Sequence, residues 1–225
     1  MMKLVIGNRR YSSWSLRGWL ACRQSGLPFE VEVVSLYDAE WDQVKRTNPL
    51  LAPSAGKVPT LWDGDAVVWD SLAILEYLCD RLSDDGVGRD RFWPRDRAAA
   101  ALARSLVAEM HGGFMALRSA LPLNLGRTGA PIQLSPAVVA DVDRILTLWA
   151  EARARFGQGG PFLFGTFGAA DIAFAPVALR FIGYGVALPG FAQGYVDALN
   201  EHPWIVAWRA EADAEPWRVE AFEIA

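Results

Sequence analysis

The chain is poor in sulfur, imidazole and positive charge, and each shortage removes a class of function. Only two cysteines, Cys22 and Cys79, occur in 225 residues. Both fall in apolar helical patterns without C-x-x-C spacing, so neither a disulfide scaffold nor a zinc site is expected. Only two histidines, His111 and His202, are present, and no acidic cluster stands at ligand spacing, which argues against any metal site. Acids outnumber bases 26 to 22 for a net charge of −4, with the two signs interspersed. No basic face therefore points to nucleic acid, and no polybasic segment points to anionic lipid. Long hydrophobic runs are missing too. The stretch Met1 to Gly7 is too short for a signal peptide and nothing later approaches a membrane span, so the expected location is the cytoplasm.

Apolar material, by contrast, is plentiful: 52% of residues are hydrophobic, enough to bury a core in one large or two ordinary domains. Residues 1–82 alternate strand and helix signals. Strands are expected at Lys3 to Gly7, Glu30 to Leu36, Thr60 to Trp62 and Ala66 to Trp69. Helices are expected after Ser15, near Glu40 to Arg46, and from Asp70. The order is βαβαββα. Ser83 to Asp90 is polar, contains glycine and lacks periodicity, so residues 83–93 read as a linker. Beyond Pro94 the strands cease. Helical patterns run from Arg95 to Ala120, Ser135 to Phe156, Ala169 to Tyr184 and Tyr195 to Glu211, giving an all-α second domain over residues 94–225.

Two short stretches in the first half carry chemistry. Tyr11-Ser12-Ser13-Trp14-Ser15-Leu16-Arg17 follows the first strand and opens a helix. A hydroxyl there lies at a helix N-terminus, where unpaired amides and the helix dipole favour an anion such as a thiolate. Lys57-Val58-Pro59 precedes a strand pair, and a cis peptide before Pro59 would turn the backbone of Val58 outward, ready for an extended peptide. Asp70-Ser71 opens the helical pattern Leu72, Leu75, Leu78. It offers Ser71 to a carboxylate and Asp70 to an ammonium. An amino-acid head, a peptide middle and a thiol end describe glutathione.

In these motifs the chain resembles the cytosolic glutathione transferases, close to the serine-type bacterial and zeta-like branch, whose signature is Ser-Ser-Cys-Ser-x-Arg. Here it reads Ser-Ser-Trp-Ser-Leu-Arg, with Trp14 in place of the cysteine. The likeness extends through the helical half, with Ala170-Asp171 and then Pro176. The resemblance implies a thioredoxin-like α+β N-terminal domain followed by an all-α domain. It also implies glutathione as co-substrate, a homodimer and a detoxifying transferase acting on a small apolar electrophile. Ser12 corresponds to the first serine of the signature and is assigned the thiol, with Ser13 in reserve. Its hydroxyl donates to a thiolate rather than acting as nucleophile. The competing role for Ser12 is an ordinary N-cap.

Other assignments follow from the same likeness. Lys57 fits either the glycine carboxylate of glutathione or a solvated loop. His111, Phe114, Met115 and Arg118, spaced i, i+3, i+4, i+7, share a helical face and are expected to line the electrophile pocket, with core packing as the alternative. Asp171 is read as a folding residue, with Gly168 at the N-cap of its helix. No cysteine stands where a redox member of this fold needs one, which excludes dithiol exchange. The missing cysteine at Trp14 also weakens a zeta-like isomerase, and a non-catalytic glutathione- or protein-binding descendant is the remaining alternative.

Overall fold

The computed structural model describes residues 1–37, 39–83, 88–129 and 131–223. Its N-terminal half is a four-stranded mixed sheet in the order β2-β1-β3-β4. β1 (Met2–Gly7) pairs in parallel with β2 (Phe29–Val34) and antiparallel with β3 (Thr60–Asp63), and β4 (Ala66–Trp69) closes the edge. β1 is apolar almost throughout because both of its faces are covered. Met2, Leu4 and Ile6 join the main core, while Val5 points the other way into a small cluster with Val34, Leu36 and Leu51. The helices of this half are α1 (Ser13–Ser25), α2 (Trp41–Thr47) and α3 (Ser71–Arg81). The observed order is the βαβαββα expected from the pattern.

Gly18 lets α1 approach the loop before β3. A Cβ at this position would stand 2.7 and 2.8 Å from ring carbons of Pro59, too close for any side chain without moving the helix. The loop itself holds a cis Val58–Pro59 peptide.

The second half is helical, with α4 (Gly88–Phe92), α5 (Arg97–Gly112), α6 (Met115–Ala120), α7 (Pro136–Phe156), α8 (Ala169–Gly183), α9 (Gly190–Asn200) and α10 (Pro203–Ala214). α8 is buried over nearly its whole length and packs against α1, α5 and α9, so it joins the two halves. Trp149 of α7 meets the rings of Phe174, Phe181 and Tyr195 edge-on, which fixes α8 and α9 around it. Gly168 is the N-cap of α8. Asp171 supplies the missing capping oxygens, accepting from Gly168 N–H at 2.9 Å and Leu163 N–H at 3.1 Å. Both cysteines are buried, Cys22 completely, and burial pushes its thiol far up.

Three expectations need correction. The run from Arg95 to Ala120 is two helices, because α5 ends at Gly112-Gly113. A Cβ on Gly113 would meet the Glu109 carbonyl oxygen at 2.7 Å, and Phe114 then turns the chain with φ +60°. The run from Tyr195 to Glu211 is also two helices, since Pro203 cannot continue α9 and instead starts α10 behind an N-cap at His202. The stretch 83–93 contains α4, and residues 84–87 of it lie outside the described residues.

Candidate functional site

The N-terminal ends of α1 and α3 open onto the same side of the sheet, and two cavities meet there. The first, about 430 Å³, is lined by Ser12, Lys57, Val58, Pro59, Asp70 and Ser71, together with Trp14, Tyr37 and neighbouring aromatics. The second, about 520 Å³, is lined by Ser12, Ser13, Trp14, His111, Met115, Arg118 and Arg180 among others. Ser12, Trp14, Leu36 and Tyr37 border both. All the residues read from the sequence therefore converge here except Phe114.

Phe114 is the exception because the helical spacing rule fails at the α5–α6 break. It sits in the left-handed region, is buried in the core and lines neither cavity. Met115 lies at the start of α6 and is 63% exposed. Arg118 reaches back over the break, donating from Nη2 to the carbonyls of Met110 and His111, the latter at 3.1 Å. These are terminal carbonyls of α5, a favourable place for a cation.

Ser12 caps α1. Its Oγ accepts from Ser15 N–H at 3.2 Å and lies 2.8 Å from Ser15 Oγ, which in turn accepts from Gly7 N–H at 2.9 Å. The three groups form a buried chain running from the end of β1 to the cavity. If the Ser12 proton turns outward, Ser15 O–H is placed to donate to Ser12 Oγ, and the chain stays satisfied. Ser13 is the first residue of α1; Arg180 Nη2 donates to its Oγ at 3.4 Å. The N–H groups of Ser13 and Trp14 have no backbone or side-chain partner among the described residues, as the first turn of a helix dictates. Tyr11, next in sequence, turns its hydroxyl away to donate to Glu223 and to accept from Val219 N–H at 3.3 Å.

Around Val58 the backbone is open: neither its N–H nor its C=O has a hydrogen-bond partner among the described residues. Lys57 is exposed at the rim. Asp70 is held at φ +76°, a conformation that costs a non-glycine residue on the order of 1–3 kcal/mol and concentrates at ligand sites. Oδ1 of Asp70 accepts from Leu72 N–H at 2.8 Å, capping α3, while His111 Nε2 lies 3.1 Å from Oδ2. His111 also packs edge-on against Trp14, with ring centres 5.1 Å apart. It thus touches the α3 end of the first cavity as well as lining the second, which its helical position alone does not reveal. Ser71 is buried at the first position of α3.

Residues 11–81 match the model of the Glutathione S-transferase, N-terminal domain, and residues 95–211 match that of the Glutathione S-transferase, C-terminal domain. The chain belongs to the glutathione S-transferase family. Among curated relatives, glutathione S-transferase theta-3 of Mus musculus is 25% identical over 210 residues, covering 88% of this chain and 76% of that one. Glutathione S-transferase theta-1 of Homo sapiens is 26% identical over 208 residues, covering 87% and 76%. Solved structures share the fold. A glutathione transferase homolog from Burkholderia, with bound glutathione, superimposes with a TM-score of 0.67 at 23% identity over 95% of this chain and 99% of that one. A theta class enzyme from Xanthomonas axonopodis pv. citri, also with glutathione bound, gives 0.61 at 21% over 92% and 95%.

Phe222, which sequence reasoning did not single out, meets the Tyr11 ring at 5.8 Å and the Tyr37 ring at 5.5 Å. Ser15, close enough to Ser12 in the same serine cluster to compete for its role, stands behind it and backs its hydroxyl. Arg180, in the stretch Arg180 to Gly185 near the end of α8, lines the second cavity. Among the described residues no group of three or more His, Cys, Asp and Glu could hold a metal ion, and no helix is long and apolar enough to cross a membrane.

Proposed function

We propose that the protein activates the thiol of glutathione and transfers the tripeptide to a small electrophile in the adjoining cavity. The observation that carries this reading is the shared wall: Ser12 borders both cavities, so a sulfur delivered from the first lies at the mouth of the second. In the first cavity, Val58 offers a free N–H and C=O to the peptide backbone. Ser71 and the α3 N-terminus take the γ-glutamyl carboxylate, Asp70 takes the ammonium beside His111, and Lys57 reaches for the glycine carboxylate. Ser12 O–H donates to the sulfur, backed by Ser15 and by the unpaired amides of Ser13 and Trp14. These donors favour the thiolate over the thiol and lower its pKa. The thiolate then forms a C–S bond at the electrophilic carbon, and the leaving group departs with its electron pair, or a proton is taken up when the reaction is an addition.

His111, Met115 and Arg118 form the electrophile's wall; Phe114 is left to the core. In this reading residues 1–82 hold glutathione, 83–93 connect, and 94–225 supply the second substrate's surroundings. Curated relatives carry the theta-class name, and the serine-type, zeta-like motif around Ser12 is compatible with it, since both readings place a hydroxyl at the sulfur. A cytoplasmic homodimer is the form that family membership suggests. Titration calorimetry with glutathione, followed by the ultraviolet thiolate band of the bound tripeptide against pH, tests the proposal. Tight binding with a bound thiol that ionises below the free thiol supports it. Absence of binding, or an unshifted thiol, overturns it.

A further inference from the structure

Two arginines, Arg118 and Arg180, line the second cavity without a carboxylate partner among the described residues, and Arg17 stands behind them against Trp14. Arg17 and Arg118 sandwich Trp14, each guanidinium carbon 4.8 Å from the ring centre. Arg180 enters beside Ser13 from α8. Their hydrogen bonds all go to neutral groups. Arg17 Nε donates to Ala173 C=O at 2.8 Å, Arg180 Nε to Leu121 C=O at 2.7 Å, and Arg180 Nη1 to Pro176 C=O at 3.2 Å. Arg17 Nη2 and Arg118 Nε are buried with no partner at all. The buried Arg9 and Arg10 do find acids, Arg9 with Glu211 and Glu215 and Arg10 with Asp213, whereas the half-buried Arg153 donates to the carbonyls of Gly157, Gly160 and Phe162.

Burial and mutual repulsion follow from this arrangement. Arg180 is pulled down to about 10 and Arg17 well below its ordinary value, with Arg118 repelling both and Asp70 offsetting part of the effect at Arg17 alone. At neutral pH Arg180 still carries its charge. Uncompensated cations in a low-dielectric wall are costly to keep unless something anionic visits them. The nearby acids are already committed. Asp70 serves α3 and His111, and Glu223 accepts from Tyr11 and from Asn124 Nδ2 at 3.0 Å. No carboxylate is among the described residues lining the second cavity. The thiolate of glutathione supplies one negative charge at Ser12, while Arg180 beside Ser13 and Arg118 over Trp14 bring two positive charges to the cavity, so one remains unmatched.

We infer that the electrophile taken by this cavity carries an anionic group, a carboxylate or its equivalent, held by Arg118 and Arg180 while its reactive carbon faces Ser12. This rests on the glutathione reading above and narrows the second substrate from any small apolar electrophile to one that joins an apolar reactive part to an anion. Met115, Pro122 and Leu123, in the lining of the same cavity, supply apolar surface for the rest of the molecule.

The test compares 4-chloro-3-nitrobenzoate with its amide. In both, the glutathione sulfur bonds to the ring carbon and chloride leaves with its electron pair. Rates are divided by those of the uncatalysed reaction at the same pH, so that the difference in intrinsic reactivity cancels. The expected result is a corrected kcat/KM at least about tenfold higher for the acid, the size of a hydrogen bond to a charged partner. That preference should fall with added salt. Arg118→Gln should lower the rate with the acid about tenfold more than with the amide, and Arg118→Lys should retain part of the preference. Calorimetry of the two glutathione conjugates reads the same preference without turnover and serves if Arg118→Gln folds poorly. Equal treatment of acid and amide by the native protein overturns the inference while leaving glutathione binding intact. An Arg118→Gln variant that slows both equally and raises the pKa of the bound thiol also overturns it, by assigning the cations to the sulfur. Failure of glutathione itself to bind would instead sink the underlying reading.

Discussion

Replacing Ser12 with alanine removes two interactions of different kinds, and their magnitudes separate them. The first is local: Ser15 N–H loses its acceptor at 3.2 Å, at the usual cap cost of about 1 kcal/mol, and the Ser15 hydroxyl loses its partner at 2.8 Å while Ser15 Oγ keeps its donor, Gly7 N–H. The second is the hydrogen bond to the sulfur. A bond to a charged acceptor is worth about 1.5–3 kcal/mol, which raises the pKa of bound glutathione by about 1–2 units. Turnover near neutral pH should fall in proportion to the thiolate fraction and recover as pH rises. Affinity for glutathione should change much less. Ser12→Thr, which keeps a hydroxyl, should titrate like the native protein. The assay is the ultraviolet thiolate band of enzyme-bound glutathione against pH, with thermal melting measured alongside. A Ser12→Ala variant that loses about 1 kcal/mol of stability but titrates normally would refute the hydroxyl mechanism at this residue. A shift confined to Ser13→Ala would move the role one residue along.

Ser71→Ala should weaken glutathione binding by about 1.5–3 kcal/mol in calorimetric titration, since a buried hydroxyl at the start of α3 faces a carboxylate. His111→Ala should alter both glutathione affinity and electrophile preference, because the ring stands 3.1 Å from the Asp70 carboxylate and lines the second cavity. An effect on the electrophile alone would show that the Asp70 contact is idle. Asp171 gives a pH dependence of unusual sign. Burial holds its carboxyl up at about 6, above the ordinary 3.8, so as pH falls the folded chain takes up this proton before the unfolded chain does. Its contribution to stability therefore grows as pH drops from about 6 to about 4, the reverse of a paired surface carboxylate. Asp171→Asn should abolish that slope in denaturant melts. It should also lower stability at pH 5 by about 1–3 kcal/mol, because one amide cannot replace both accepted N–H bonds.

The parts of the fold that could be read in advance are those set by neighbours in sequence. The strand and helix order of the first half followed from short apolar runs and turn residues. The clefts at Ser12, Val58-Pro59 and Asp70-Ser71 followed from what each residue type does at a helix start or a turn. Helix ends were less legible where the breaker was mild. Gly113 ends α5 at a place where any side chain would meet the Glu109 carbonyl, a constraint that periodicity does not register, and Pro203 marks a boundary that the apolar pattern runs across. The charged wall of the second cavity was hidden for a different reason. Arg180 meets Ser13 across 167 residues, and Arg17 and Arg118 come together only because Trp14 lies between them. No local pattern distinguishes an arginine that will lack a carboxylate from one that will find it.

The two cysteines carry a consequence for the protein's own survival. A protein that presents a soft nucleophile to reactive carbon compounds risks alkylating itself, and a cysteine thiolate would be the first target. Cys22 is sealed in the core with its thiol pushed far up, and Cys79 is 5% exposed with its thiol raised by burial beside Glu76 and Asp80. The only thiol in reach of an incoming electrophile is then the one glutathione brings, so the reagent is consumed by the co-substrate and the protein's own thiols are spared. The same arrangement makes the molecule a clean host for labelling: a cysteine introduced on its surface would be the only readily accessible thiol in the folded chain.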